Sequence, residues 1–351
     1  MRIAIIHHQY RRKGGMERYL FDLLSGLSAV HDHTTVVVYK QDNTQALVEN
    51  SRVIKYWLNW LPRVLRKFYF SKRLERQHHR ADYDCTISLM RSSNQEIVVS
   101  GGTHCGYLMH TDKRASLWDR WEIRAEQKSF AASKAIIAYS HMIAKEIENY
   151  YSIDKRKIHC LFPPINLERF NGSFRANRTA LQKKWGINPA KLTLLFTSGG
   201  HKREGIDPLL KAFTRLPSDQ YQLIIAGHKP KRYKLPDNVH YLGFVDEIAE
   251  LYAAVDFTIL PSFYEPFGLV VPESLACGTP VIISEYVGAK ELLREEYGIV
   301  IPAVTVNAIQ QAIEQAREQK FDVPEDFAQR HQLTLSVHIE KLKAVMRRVK
   351  G

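Results

Sequence analysis

Short apolar runs alternate with helix-length segments from one end of the chain to the other, and this alternation is the strongest constraint on its fold. In the first half the strand-like runs are Arg2 to His7, Thr34 to Tyr39, Cys85 to Leu89, Glu96 to Ser100 and Ala135 to Tyr139, with a helix predicted over Gly15 to Ala29. The second half repeats the style. Strands are predicted over Leu192 to Thr197, Tyr221 to Ala226, Val239 to Leu242, Phe257 to Leu260 and Val281 to Ile283. Helices are predicted over Pro208 to Leu216, Glu247 to Ala253, from about Leu269 to the stop at Gly278, and over Ser336 to Val349. Strands separated by helices pair mainly in parallel, because each crossover returns the chain in the same direction. No short repeat suggests a solenoid. At 351 residues the chain exceeds one usual core. The expected class is therefore α/β with two Rossmann-like domains. The paired prolines of Phe162-Pro163-Pro164-Ile165-Asn166 break regular structure and set the expected boundary. That gives residues 1–166 and 167–335, with a last helical segment over 336–351.

One stretch carries most of the functional information. Glu265-Pro-Phe-Gly-Leu-Val-Val-Pro-Glu273 runs straight into Ser-Leu-Ala-Cys-Gly-Thr-Pro-Val. Glu265 falls in a loop at a strand's carboxyl end, where open α/β sheets bind ligands. Glu273 lies about one turn into the next helix. Phe267, Gly268 and Leu269 offer backbone N–H groups at that helix start, which attracts phosphate. A carboxylate can accept two hydroxyl protons from a sugar diol. The bland reading makes Glu265 a loop charge and Glu273 a complement to the helix dipole.

Glycine-rich loops recur at other predicted strand ends. Arg11-Arg12-Lys13-Gly14-Gly15-Met16-Glu17 joins the first strand to the first helix, where Gly14 and Gly15 would allow close approach to a diphosphate. A tight turn with solvated cations is the alternative. Ser198-Gly199-Gly200-His201-Lys202-Arg203-Glu204-Gly205 follows the first strand of the second half, and Asp207-Pro208 reads as a helix N-cap with proline in the first turn. Gly227, and Val245 after Leu242-Gly243-Phe244, mark two further strand ends, and each glycine there is also ordinary. Gly101-Gly102-Thr103-His104 puts a histidine after a strand in the first half, where a structural histidine is the alternative. Asp82-Tyr83-Asp84 reads as turn chemistry, and no catalytic metal or other cofactor is predicted.

Taken together, Glu265 to Val281 resembles the E-x7-E motif of the retaining nucleotide-sugar glycosyltransferases of family four, which have the GT-B fold. The likeness covers nearly the whole chain and is strongest from Leu192 to Leu293. It implies two Rossmann-like domains with a cleft between them and a C-terminal helix crossing back onto the first. Within the family the chain resembles bacterial lipopolysaccharide-core glucosyltransferases. The resemblance implies transfer of a hexose, from UDP-hexose, to a lipid-linked glycan such as a lipopolysaccharide core, without a metal. Glu265 would hold donor-sugar hydroxyls and Glu273 the ribose diol. Lys202, Arg203 and the amides of Phe267, Gly268 and Leu269 would meet the departing diphosphate. Gly227 and Val245 would border the base, and His104, Gly14 and Gly15 would face the donor sugar or the acceptor. The chain departs from the family pattern at Glu204, where lysine is usual, and Lys202 could restore that charge.

Charge is unevenly distributed. Residues 1–170 hold 27 Lys+Arg against 17 Asp+Glu, and the remainder 23 against 20. From Arg52 to Arg80 there are nine basic residues and one acid, interleaved with Trp57, Trp60, Leu61, Leu65 and Phe68, and Trp118 and Trp121 follow later. Basic, aromatic-flanked segments of this kind suit an anionic membrane surface. A solvated basic face with core aromatics is the alternative. Cys85, Cys105, Cys160 and Cys277 have no metal or disulfide spacing, which points to a reducing cytoplasm. The expected location is cytoplasmic, peripheral on the inner membrane's cytoplasmic face. Two rivals were weighed. A nicotinamide-dependent oxidoreductase would need a Gly-x-Gly-x-x-Gly fingerprint that neither glycine pair completes. A non-catalytic polyanion binder is suggested by charge, but no nucleic-acid motif accompanies it.

Overall fold

The computed structural model describes residues 1–12, 14–77 and 80–350, with all their side chains except those of Arg63 and Val64. Lys13 of the first glycine loop, and Gly351 at the end of the last predicted helix, lie outside the described residues. The chain divides into two compact units, Met1–Pro164 with Leu335–Gly351, and Ile165–Thr334.

In the first unit seven strands form one sheet: β1 (Arg2–Ile6), β2 (His33–Val38), β3 (Ser51–Lys55), β4 (Cys85–Ser88), β5 (Ile97–Ser100), β6 (Ala135–Ala138) and β7 (Ile158–Cys160). Their order is β3-β2-β1-β4-β5-β6-β7, all parallel. Helices α1 (Gly15–Ala29), α2 (Arg63–Gln77), α3 (His104–His110), α4 (Leu117–Ala132) and α5 (His141–Tyr151) form the crossovers. Strands β1, β4, β5 and β6 are near-continuous buried apolar runs, as expected where helices cover both faces of a parallel sheet.

The second unit has six parallel strands: β8 (Leu192–Ser198), β9 (Tyr221–Gly227), β10 (Val239–Gly243), β11 (Phe257–Leu260), β12 (Val281–Ser284) and β13 (Gly298–Ile301). Their order, β10-β9-β8-β11-β12-β13, again reverses beside the unit's first strand. Helices α6 (Arg178–Trp185), α7 (Ile206–Phe213), α8 (Ile248–Ala254), α9 (Val270–Ala276), α10 (Val306–Glu318) and α11 (Phe327–Arg330) complete it. Both units thus have the doubly wound Rossmann order, whose ligand site is the crevice beyond the strand ends where the order reverses.

One helix start differs from expectation. Asp207 is not the N-cap of α7; Gly205 is, with φ +77°, and Asp207 pairs with Lys211 one turn on at 2.8 Å. A Cβ at Gly205 would lie 2.0 Å from the Pro261 carbonyl oxygen, so only glycine fits that entry turn.

The last helix, α12 (Leu335–Lys350), belongs to the first unit, where it lies on α1. A Cβ on Gly26 would sit 2.5 Å from Ile339 Cγ1, so glycine permits the close crossing. Lys343 donates to Asp32 (2.6 Å), which also accepts from the N-terminal amine (2.5 Å). Lys350 donates to Asp84 (2.7 Å), which also accepts from the Arg2 amide (2.7 Å), so the Asp82-Tyr83-Asp84 turn ends in a structural carboxylate. His338 is buried with Nδ1 2.9 Å from the Phe162 carbonyl oxygen and Nε2 2.8 Å from the Tyr19 hydroxyl. The carbonyl can only accept, so Nδ1 carries the proton and Nε2 accepts from Tyr19. No helix among the described residues is long and apolar enough to cross a membrane.

Candidate active site

In the second unit the order reversal between β8 and β11 sets the loop 198–205 beside the loop 261–268. Phe263 N donates to the Arg203 carbonyl oxygen (2.8 Å) and fastens the two loops together. Arg203 then spans both. Its Nη1 donates to the Tyr264 carbonyl oxygen (2.6 Å) and to Glu265 Oε2 (2.5 Å), and its Nη2 to Glu204 Oε1 (3.1 Å). Burial pushes the Glu265 carboxyl up from the usual range; the Arg203 guanidinium opposes that rise and the nearby Glu204 charge adds to it.

The backbone of Glu265 is fixed as firmly as its side chain. Its N–H donates to the Tyr286 carbonyl oxygen (2.9 Å), and its own carbonyl accepts from Gly288 N (2.8 Å). Phe267 O accepts from Ala289 N (2.8 Å). Gly268 has φ +87°, and a Cβ there would press on Glu265 Cγ and Val287 Cγ1, each at 3.1 Å. That left-handed turn delivers Leu269 as the N-cap of α9. The first amides of a helix have no intrahelical acceptor and point at the space before it. Glu273, one turn in, is buried, with the Tyr252 hydroxyl donating to its Oε2 at 3.3 Å.

Glu204 departs most from the family pattern and is also firmly held. It is buried, and its Oε2 accepts from Ser198 Oγ (2.8 Å), Gly200 N (2.9 Å) and Gly199 N (3.1 Å). Ser198 gives its single proton to this carboxylate. His201 Nδ1, also hydrogen-bonded to Ser198 Oγ, is therefore the protonated ring nitrogen. His201 Nε2 is buried without a hydrogen-bond partner among the described residues. Lys202 is exposed beside this loop.

Gly227 answers first to the sheet. Its φ is +114°, and a Cβ would lie 2.2 Å from the Ser198 carbonyl oxygen, which accepts from His228 N at 2.9 Å. Val245 is half-buried at the next strand end, and Phe244 beside it is 74% exposed, edge-on to His228 with ring centroids 4.9 Å apart. Lys229, Lys231 and Arg232, exposed on the loop after β9, add cations outside the motifs of the sequence analysis. The contact of Gly227 and His228 with Ser198 sets that loop against the Arg203 loop. Their signal in the sequence is a basic run directly after a predicted strand.

Gly14, Gly15 and His104 lie in the first unit. Gly14 caps α1 with φ +107°, and a Cβ there would meet Glu17 Oε2 at 2.5 Å. Among the described residues, chain neighbours and the helix's own backbone aside, no atom lies within 4 Å of a Cβ position at Gly15. Burial pushes the Glu17 carboxyl up, but the His7 ring 3.7 Å away and the hydrogen bond from Gln9 outweigh it and hold it at about 2. His104 opens α3. Its Nε2 is 2.8 Å from Asp119 Oδ1, and its amide donates to Glu126 Oε2 at 2.8 Å. Hydrogen bonds from Ser116 and His104 hold Asp119 at about 2.

The same unit contains a cavity of about 520 Å³ between α2, α4 and the ends of β4 and β5. That is ligand-sized. Its floor includes Leu89, Met90, Val99 and Phe130, all buried, and it reaches Met16 and the Gly101-Gly102 loop. Lys67, Lys72 and Arg124 stand exposed along it and form no ion pair among the described residues. Outside the cavity, Trp57 is 62% and Trp60 56% exposed, so these two aromatics are not core residues.

Residues 177–333 match the family described as glycosyl transferases group 1, and residues 13–169 match glycosyltransferase family 4. A probable transglycosylase of Burkholderia thailandensis is 31% identical over 288 residues, covering 82% of this chain and 78% of its own. Among solved structures, WaaG, a glycosyltransferase involved in lipopolysaccharide biosynthesis, superposes with a TM-score of 0.81 at 18% identity, over 98% of this chain and 99% of its own. HepE of Anabaena, in complex with UDP and glucose, superposes with a TM-score of 0.75 at 16% identity, over 99% and 100%.

Proposed function

The chain belongs to the group 1 glycosyltransferases, with the two-domain GT-B fold, and on that premise we propose that it moves a hexose from UDP-hexose to a lipid-linked glycan, with retention at the anomeric carbon. The observation that carries this reading is the Arg203–Glu265 pair at the strand-order reversal, 2.5 Å apart, with the start of α9 immediately behind it. A cation there meets the diphosphate, and the adjacent carboxylate holds hydroxyls of the sugar attached to it. Buried Glu273 is the group for the ribose diol.

In the step proposed, the bond from the anomeric carbon to the diphosphate oxygen breaks with its electron pair on that oxygen. The acceptor hydroxyl attacks from the same face, and its proton passes to the leaving phosphate. Charge then grows on the diphosphate, so Arg203, Lys202, the α9 amides and the Lys229 loop act where stabilisation of developing charge is worth most. His104, held by Asp119, and Gly15, with open space at its Cβ position, are the first unit's groups for the sugar or acceptor. The cavity beside α2 and α4 suits an acceptor that carries negative charge on an apolar body. The experiment is UDP release from a panel of UDP-hexoses, with and without lipid-extracted acceptors. Release that rises with acceptor supports the reading; a panel that yields no UDP with any acceptor removes it.

The exposed Trp57 and Trp60 within the basic stretch favour a second feature, reversible docking of the first unit on anionic lipid from the cytoplasmic side. Each cation near such a surface contributes roughly 1 kcal/mol and is screened by salt. Binding to anionic vesicles is expected to fall as salt rises and to weaken when Arg66 and Lys67 are reversed in charge. Equal partition onto neutral vesicles would contradict it.

A further inference from the structure

Glu204 stands where the family resemblance leads one to expect a lysine, yet its surroundings are built for an anion. Three donors converge on one carboxylate oxygen: the Ser198 hydroxyl at 2.8 Å and the Gly200 and Gly199 amides at 2.9 and 3.1 Å. Successive backbone N–H groups turned inward in this way form a concave anion site. The other oxygen pairs with Arg203 Nη2 at 3.1 Å. The loop has therefore supplied its own anion, and that anion grips the guanidinium whose other nitrogen reaches Glu265.

We propose that Glu204 is a positioning residue, an internal anion that fills the Ser198–Gly200 amide site and sets the direction of Arg203. The proposal rests on the glycosyl-transfer reading of this site and adds to it how the loop is organised. A lysine at position 204 would bring a cation against three donors and against Arg203, so the family's usual residue is excluded by this loop rather than merely absent from it. The departure is then a rewiring. Arg203 is aimed from behind by a carboxylate, and any second cation for the diphosphate must come from outside position 204.

Removing the carboxylate should leave an empty anion site of the right size for a small carboxylate from solution. Glu204→Ala is expected to lower kcat about a hundredfold with little change in KM, as for loss of a group that organises charge stabilisation in the transition state. Millimolar formate should restore part of that loss and raise the melting temperature of Glu204→Ala, while changing neither property of the wild type. Glu204→Lys should be less active than Glu204→Ala and should not respond to formate. The melting readout needs no turnover, so it separates failure of this inference from failure of the glycosyltransferase reading, which wild-type turnover tests. Glu204→Gln fills the same space and covers the case in which Glu204→Ala does not fold; it should lose activity because its amide nitrogen faces donors. The proposal is overturned if formate alters neither turnover nor melting of Glu204→Ala, or if Glu204→Lys or Glu204→Gln matches the wild type.

Discussion

Arg203 is held by two carboxylates from different loops, and under the proposed reading those are the bonds exchanged when a diphosphate arrives. Glu265→Gln is expected to lower kcat more than donor affinity, since its proposed partner is the transferred sugar. Glu273→Gln should do the reverse. Replacing a charged acceptor of ribose hydroxyls by a neutral one costs roughly 1.5–3 kcal/mol, or roughly ten- to a hundredfold in Kd. Titration of a UDP-hexose into each variant, beside steady-state rates, checks the split; wild-type affinity and rate in both would remove the site. Glu265, Glu273 and Arg203 were each legible as residues, because a motif fixes them along the chain. The Arg203–Glu265 bond was not, because its partners are 62 residues apart and meet only through the pairing of β8 with β11. Glu204 reads in sequence as a missing cation, since two of its four partners are backbone amides, which leave no mark in a sequence.

At the level of elements, apolar runs located the strands buried on both faces, which carry a continuous signal, but not the half-exposed edge strands β3, β7 and β13. The entry to α7 departs from the expectation for a local reason. Asp207-Pro208 carries the usual N-terminal chemistry, but the crowding of Gly205 against the Pro261 carbonyl decides where the helix begins. Helix α12 carries a testable consequence of its burial against the first unit. Burial holds the His338 imidazole neutral, down to about 4 from 6.5, against the raising effect of the Phe162 carbonyl. The unfolded chain therefore takes up a proton that the folded chain refuses. This contribution is fully present above about 6.5 and is lost as pH falls towards 4, in total on the order of 3 kcal/mol. Half-buried His8, lowered to about 3 by desolvation and by the charges of His7 and Lys67, acts in the same sense over a window that runs from about 6.5 down towards 3. Melting temperature should fall as pH drops from neutral towards 4, and His338→Gln should flatten that fall. An unchanged slope in His338→Gln would show that the Tyr19–His338–Phe162 contacts are not its source.

For the whole molecule, each of the two Rossmann-ordered units carries its own candidate site, with different chemistry in each. The second unit gathers a guanidinium, two carboxylates and a helix start, which suits a nucleotide sugar. The first gathers exposed cations, exposed tryptophans and a cavity with an apolar floor, the features on which the proposed acceptor rests. The architecture was legible from alternation alone, whereas the cavity was not, because its lining comes from α2, α4 and strand ends scattered between His8 and Phe130. The central claim is retaining transfer from UDP-hexose. It is tested most directly by running the reaction with UDP-α-glucose or UDP-α-galactose and a lipid-extracted acceptor, and reading the anomeric proton coupling of the new linkage by NMR. The account predicts an α-linked product formed together with UDP. A β-linked product would contradict it.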